Sequence, residues 1–508
     1  MIVTLVGKIV TIVMIFIGQN VAAQDLNDQH LSIVPRTEDE RARVANVTKP
    51  TTDFTRSSRF EERAAGAATV RARTNANAFS KPSGNMPFED ELTFKVGNGL
   101  FRKLWVSSPS STLVSDGLGP LFNARSCQLC HIKDGRGHPP EANDSNAISM
   151  LMRVSIPTDY DALSDEITDY IATLPDPTYG HQIQDFALLG HPAEFQIGIT
   201  YDEEIVAMSG DETVSLRHPS YTLDGAGYGP LHPDAMFSPR VAPQMIGLGQ
   251  LEAIPAADIV ALADPNDSDG DGISGRPNIV WSKEFETPML GRFGLKAGNP
   301  TIRQQSADAF SGDIGISSPL NPMGAGECTA AQTTCQTATH GDGDARVFEV
   351  DAEILDLVSF YSRNLAVPAR RNVDDATVLR GKQVFYETGC IACHAPSFVT
   401  HRLTDQPEQS FQLIWPYTDM LLHDMGDDLA DNRPEARATG HEWRTPPLWG
   451  VGLTEQVSRH TYFLHDGRAR SLLEAVMWHG GEAQSQRDAV AAMIKADRDA
   501  LITFLESL

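Results

Sequence analysis

Cys127-Gln-Leu-Cys130-His131 and Cys390-Ile-Ala-Cys393-His394 decide how this chain is read. In each, two thiols stand three residues apart and a histidine directly follows the second. That spacing lets both sulfurs add to the vinyl groups of one haem while the imidazole reaches the iron from the same side. With six cysteines and 15 histidines in 508 residues, two such motifs are not accidents of composition. The competing reading is zinc or a redox dithiol. Zinc would want a second ligand pair close by, and neither motif has one. The sequence therefore predicts two covalently bound haem c groups. Cys127, Cys130, Cys390 and Cys393 are the attachment points, and His131 and His394 are the proximal iron ligands.

The flanks of the motifs suggest how each haem is housed. Asp374–Tyr386 reads as a helix leading into the second motif. Asp488–Leu508 reads as a terminal amphipathic helix, with Val490, Met493, Ile494, Leu501 and Leu505 among its apolar positions. A helix and a CxxCH motif at the start, with a packing helix at the end, is the arrangement of a small cytochrome c domain. Ala352–Tyr361 is also helical in pattern, Pro239–Leu262 reads as helix broken at its prolines, and Pro368–Val373 reads as a linker. Glu194–Leu223 differs: Phe195, Ile197, Ile199 and Tyr201 alternate with polar residues or glycine, which predicts strands and hairpins. The expected fold is mainly α, with two cytochrome c-like haem domains and a β-rich insertion in the first. The expected boundaries are a polar extension at 24–87, weakly ordered or wrapped on the surface, a first haem domain at 88–367 and a second at 368–508.

At the N-terminus, Lys8 precedes the apolar run Ile9–Gly18, and Val21-Ala22-Ala23 offers small residues for cleavage before Gln24. Residues 1–23 thus read as a secretory signal. The run is short for a bilayer span, so the mature protein is expected in the periplasm without a membrane segment. An oxidising compartment favours a disulfide between Cys328 and Cys335. The formal net charge of -26 argues against a nucleic-acid partner and fits a soluble protein that could dock a basic one. Asp267, Asp269, Asp271 and then Gly272 copy the first half of an EF-hand loop, which points to calcium. The pattern departs at its twelfth position, where Asn278 stands in place of Glu.

The far side of the second iron has several candidates in the C-terminal region: His423, Met425, His465, Met477 and His479. Here the stretches Trp443-Arg-Thr-Pro-Pro-Leu-Trp-Gly-Val-Gly-Leu453, Phe463-Leu-His-Asp-Gly-Arg468 and Ser471-Leu-Leu-Glu-Ala-Val476 matter. They resemble the C-terminal haem domain of bacterial di-haem cytochrome c peroxidases and of related enzymes that mature a tryptophan-derived quinone cofactor. In those families the distal ligand lies a fixed distance after the His-Asp-Gly turn. Counting fourteen residues on from His465 reaches His479, so the resemblance implies a second haem held by His394 and His479, with Met477 as runner-up.

From about residue 90 onward the chain is most similar to the di-haem oxidoreductase family. The stretches that carry this are Gly119–Cys127, Ser238–Leu248, Asp269–Asn278, Leu290–Gly294, Leu421–Gly426 and Trp478–Ala483. The resemblance implies a peroxidase that reduces hydrogen peroxide at an open first haem. Electrons would come from a small donor protein or small-molecule donor, by way of the second haem. A carboxylate would move the peroxide proton, with Glu252 as the candidate and Glu194 and Gln244 as alternatives. The related enzymes also hold calcium between their haem domains. Arg240, Arg444 and Arg468 suit haem propionates. Two other readings stay open: a di-haem enzyme that oxidises side chains of a partner protein, and a non-enzymatic electron carrier with both haems six-coordinate.

Overall fold

In chain order, the helices that position the sites are α1 (Asp90–Phe101), α2 (Leu248–Glu252), α3 (Ile302–Ile314), α4 (Ala352–Arg363), α5 (Ala376–Glu387), α6 (Leu472–Met477), α7 (Gln484–Ala492) and α8 (Lys495–Ser507). The strands are β1 (Met150–Pro157), β2 (Gln196–Met208), β3 (Glu212–Asp224) and β4 (Met236–Val241). The computed structural model describes residues 26, 28–112, 115–140, 149–158, 173–342 and 347–508. The expected signal segment 1–23 lies outside them. No helix among the described residues is long and apolar enough to cross a membrane.

Each CxxCH motif is framed by a crossing pair of helices, and each crossing is made by a glycine. In the first pair α1 packs on α4 through Phe94, Gly97 and Phe101. A Cβ on Gly97 would sit 2.3 Å from the Leu357 carbonyl oxygen of α4. In the second pair α5 packs on α8, and a Cβ on Gly381 would sit 1.9 Å from the Ala500 carbonyl oxygen. Local signals start both partners: the Asp351 side chain caps α4 by accepting from Ile354 N, and Asp375 caps α5 by accepting from Thr377 N and Val378 N. Gly389, at φ 86°, then ends the second helical segment and turns the chain into Cys390.

The expectation of a mainly α protein is not met. Helix accounts for 28% of the chain and strand for 19%, spread over many small sheets, so the architecture is mixed α and β. Most of these sheets are two-stranded ladders that pin loops running around the sites, such as Phe398–Val399 with Leu413–Ile414 and Leu422–Asp424 with Glu442–Arg444. Part of the segment expected to be helical, Pro239–Leu262, is strand instead. Its first residues belong to β4, which pairs antiparallel with β1 from Met150↔Val241 to Ser155↔Met236. Only α2 and a short turn at Ala256–Val260 follow. The terminal helix breaks at Met493, whose ψ of 157° is extended, giving α7 and α8.

The alternating stretch near residue 200 forms one long hairpin, β2–β3, in register from Gln196↔Asp224 to Met208↔Glu212. It belongs to the first haem domain in sequence but reaches the second. Met208 and Leu216 are buried in the same cluster as Phe463, Trp478, Leu501 and Phe504. His218 packs edge-on against Trp478 at 4.7 Å, Arg470 pairs with Glu203 at 2.8 Å, and Ser209 N donates to the Ala491 carbonyl.

The polar N-terminal extension is built into the core. Ala64, Ala65, Ala68, Ala78 and Phe79 join the cluster that holds Ile246, Leu251, Trp449 and Leu453. Its charges find distant partners. Glu61 is buried between Arg370 and Lys382, and Asp28 receives Arg292 at 2.6 Å and His401 at 2.8 Å. Burial alone would raise the Glu61 pKa, but the two cations outweigh it and hold the carboxyl below its usual range.

Candidate haem-binding sites

Cys127–Cys130 forms a single helical turn, and His131 leaves it with φ -97° and ψ 67°. Its ring Nδ1 lies 2.7 Å from the Pro243 carbonyl oxygen. His394 is fixed in the same way by the Tyr417 carbonyl at 2.9 Å, and His479, just past the end of α6, by the Ala475 carbonyl at 2.8 Å. A carbonyl can only accept, so in all three rings Nδ1 carries the proton. Nε2 is left with a lone pair and no hydrogen-bond partner among the described residues. A carbonyl bonded to Nδ1 orients a histidine that ligates a metal through Nε2.

The surroundings of these groups are unusual. Cys127, Cys130, His131, Cys390, Cys393, His394 and His479 are all only half-covered. Yet loss of solvation pushes the Cys127 and Cys390 thiols up to about 12 and His131 and His394 down to about 4. Groups that are part-exposed and still strongly desolvated sit in hollows of the fold. The two hollows differ. His394 is depressed further by the nearby His479, whereas the shift of His131 is set by burial and Pro243 alone.

The residues present fit haem. Three buried indole N–H groups find no acceptor among the described residues: Trp478, directly before His479; Trp415, two residues before the carbonyl that fixes His394; and Trp449, whose own carbonyl accepts from Gln244 beside Pro243. Two half-buried guanidiniums, Arg136 and Arg444, make no ion pair among the described residues. Arg136 donates to Tyr462 and Leu464, and Arg444 donates to Gly294 at 3.2 Å and Thr445 at 2.9 Å. Burial lowers both to about 10. Unmatched donors and cations of this kind suit haem propionates. Arg240 and Arg468 already have carboxylates, Glu435 at 2.7 Å and Asp466 at 2.9 Å. Arg136 is the residue that sequence reasoning missed, because nothing in its Gly-Arg-Gly context marks it.

The other candidates for the second iron occupy different settings. Met477 is 1% exposed within the aromatic cluster around Phe385 and Phe504. His465 is buried and stacked flat on Trp443, centroids 3.9 Å apart. His423 is clamped between Asp419 at 2.7 Å and Glu482 at 2.8 Å. Burial opposes charge on His423, but these partners and Cys393 raise its pKa to about 12.

Among the carboxylates, Glu252 is fully buried with both oxygens engaged: Oε1 accepts from Ile302 N and Oε2 from Arg363 Nε, each at 2.8 Å. Burial would raise its pKa, yet Arg363 and His30 outweigh that and keep it low. Glu194 accepts from Gln184 N at 2.6 Å and from Gln332 Nε2, and burial holds it well above its usual range. Asp185 was not visible as a candidate in the sequence. It accepts from Asn123 at 2.9 Å and lies close enough to the Cys130 thiol to influence it. Burial pushes its pKa up to about 7. Asp267, Asp269 and Asp271 bring carboxylate oxygens within 4.8 Å of one another. Asn278 faces inward instead, bonded to Lys296 O and Arg437 N. Cys328 and Cys335 are joined as a disulfide.

No curated protein matches the chain. The family described as "Di-haem oxidoreductase, putative peroxidase" matches residues 60–508, a span that takes in both CxxCH motifs, His479, the acidic loop and the hairpin. The chain belongs to the di-haem oxidoreductase family.

Proposed function

We propose that this protein is an exported di-haem c-type oxidoreductase that reduces hydrogen peroxide with electrons from a small donor, relayed between its haems. What supports the reading is an asymmetry between the two proximal imidazoles: His479 lies close enough to His394 to depress it, and no second imidazole among the described residues acts on His131. His394 and His479 would together hold one haem, which would supply electron transfer, and His131 would hold the other, which would supply reduction of a small oxidant. Bound haem supplies the redox chemistry. The chain's own residues tether it through Cys127, Cys130, Cys390 and Cys393, orient the three imidazoles through backbone carbonyls, and neutralise propionates with Arg136 and Arg444.

Reducing one peroxide to two waters consumes two electrons and two protons. We assign the proton transfer to Asp185, which lies close to the Cys130 thiol, accepts from Asn123, and is pushed by burial up to about 7. Glu252, the candidate from sequence, is committed to Arg363 and the start of α3. The disulfide at Cys328–Cys335 supports an oxidising compartment, in keeping with a periplasmic location. The optical spectrum of the oxidised holoprotein tests the reading. One high-spin and one low-spin haem are expected, with peroxide altering the high-spin band and turning over when a reductant is supplied. A spectrum that is low-spin throughout, unchanged by peroxide, would leave an electron carrier in its place.

We further assign calcium to the loop of Asp267, Asp269 and Asp271, whose oxygen-only ligand set suits a hard cation. Metal analysis of protein prepared without chelator should find calcium. The Asp267→Ala, Asp269→Ala double variant should lose it and show altered coupling between the haems. Native protein free of calcium would reduce the loop to an acidic turn.

A further inference from the structure

The first CxxCH turn carries a surface that runs against the character of the rest of the chain. With a net charge of -26, most of the protein repels anions. Beside Gln128, however, Lys81, Lys95, Arg102 and Lys133 converge on a cavity of about 320 Å³. Its one acidic lining residue, Glu91, is paired with Lys95 at 3.0 Å. Lys81, Arg102 and Lys133 make no ion pair among the described residues. The nearest carboxylate behind them, Asp134, has its oxygens taken by Ser80 and Tyr361. Gln128 stands between the two attachment cysteines, so this pocket rests on the haem-attachment turn itself.

An apolar ridge borders the pocket. Helix α1 buries Phe94, Gly97 and Phe101 against α4, and the face opposite should be polar in a helix that meets only water. Instead Phe88, Leu92 and Val96, spaced four residues apart, are 85%, 69% and 43% exposed, and Leu104 just beyond is 51% exposed. The adjoining face supplies Glu91, Lys95, Asn98 and Arg102 to the pocket. A contiguous apolar patch rimmed by charge marks a protein contact, and a molecule small enough for the pocket would leave the ridge bare.

We propose that this face docks an acidic one-electron carrier protein, whose carboxylates enter the basic pocket and whose apolar patch covers the α1 ridge. This rests on the haem reading above but departs from the route by way of the second haem that the resemblance implies: electrons delivered here would enter beside the Cys127–Cys130 turn, and the second haem would be loaded by relay from the first. Each docking would pass one electron from the carrier's reduced metal to the haem that Cys127, Cys130 and His131 would hold. No bond forms or breaks, and two dockings supply what one peroxide consumes. The acidity elsewhere contributes by repulsion. An acidic partner is attracted to this face and repelled by the acidic surface elsewhere, which favours one docking orientation.

Titration calorimetry of the holoprotein with a reduced acidic blue-copper protein tests the idea, with a basic cytochrome c as the control. The acidic probe should bind at low ionic strength and weaken as salt screens the contact. Arg102→Gln with Lys133→Gln should weaken that binding by about tenfold, and so should Leu92→Ser with Val96→Ser. Binding of the basic cytochrome should not change. Haem content is read beforehand from each spectrum. Protein lacking haem at Cys127 and Cys130 would refute the haem reading, whereas intact haem with no binding of the acidic probe, or with binding unmoved by both double variants, would overturn the docking surface alone.

Discussion

Replacing His479 with alanine should turn one haem of the oxidised protein high-spin and leave the spectrum of the other unchanged. The substitution removes the free Nε2 of an imidazole close enough to His394 to act on it, and leaves little to replace it. Met477 is packed among aromatic rings and cannot reach out without opening that cluster, and His465 is held flat against Trp443. The helix that presents His479 is set independently of the imidazole. Ser471 caps α6 by accepting from Glu474 N, and β3 packs along its side, so the variant should fold. His479→Met should restore a low-spin haem, now at a higher potential, because a thioether favours ferric iron less than imidazole does. Potentiometry with optical detection reads both effects. An unchanged spectrum in His479→Ala would show that another residue holds the second iron.

Gly381→Val should be the most destabilising single change in the second haem domain. The atom in the way of a Cβ is the carbonyl oxygen of Ala500, with the Cβ of Phe504 at 2.7 Å behind it. Neither is the end of a flexible side chain, so α5 and α8 must separate. Overpacking of this kind costs about 3 kcal/mol. The separation would also disturb Phe385, which packs against both Phe504 and the His394 ring, at 5.3 and 6.1 Å. Thermal unfolding should move to lower temperature, and the haem yield at Cys390 and Cys393 should drop while that at Cys127 and Cys130 is kept. Unaltered melting and haem yield would mean that the crossing has slack.

The parts of this architecture that sequence revealed are those governed by short-range chemistry. The CxxCH spacing, the Asp-capped helices α4 and α5 and the alternation of the hairpin all depend on neighbours in the chain. What it hid depends on partners far away. Ser238–Val241 looks like the start of a helix until β1 offers a pairing edge nearly ninety residues earlier in the chain. The extension before residue 88 looks soluble because its charges are visible and their buried partners, Arg292, Arg370 and Lys382, are not. The helical content was overestimated because loops pinned by two-residue ladders have no period to read. Within the site, His479 came from the spacing of a family resemblance. Asp185, Arg136 and the carbonyls that orient the imidazoles came only from three-dimensional proximity.

The β2–β3 hairpin imposes an order of events on the growing chain. Its residues are synthesised well before α5 and long before α7 and α8, yet Met208 and Leu216 are buried in a cluster that Phe463, Leu501 and Phe504 complete. Until those arrive, a two-stranded ribbon with an apolar side waits uncovered, and a ribbon of that kind is marginal by itself. The last forty-odd residues therefore finish two structures at once, their own domain and an arm made some 250 residues earlier. A chain that stops short of α8 leaves Met208 and Leu216 without Leu501 and Phe504, and Glu212 without Arg498.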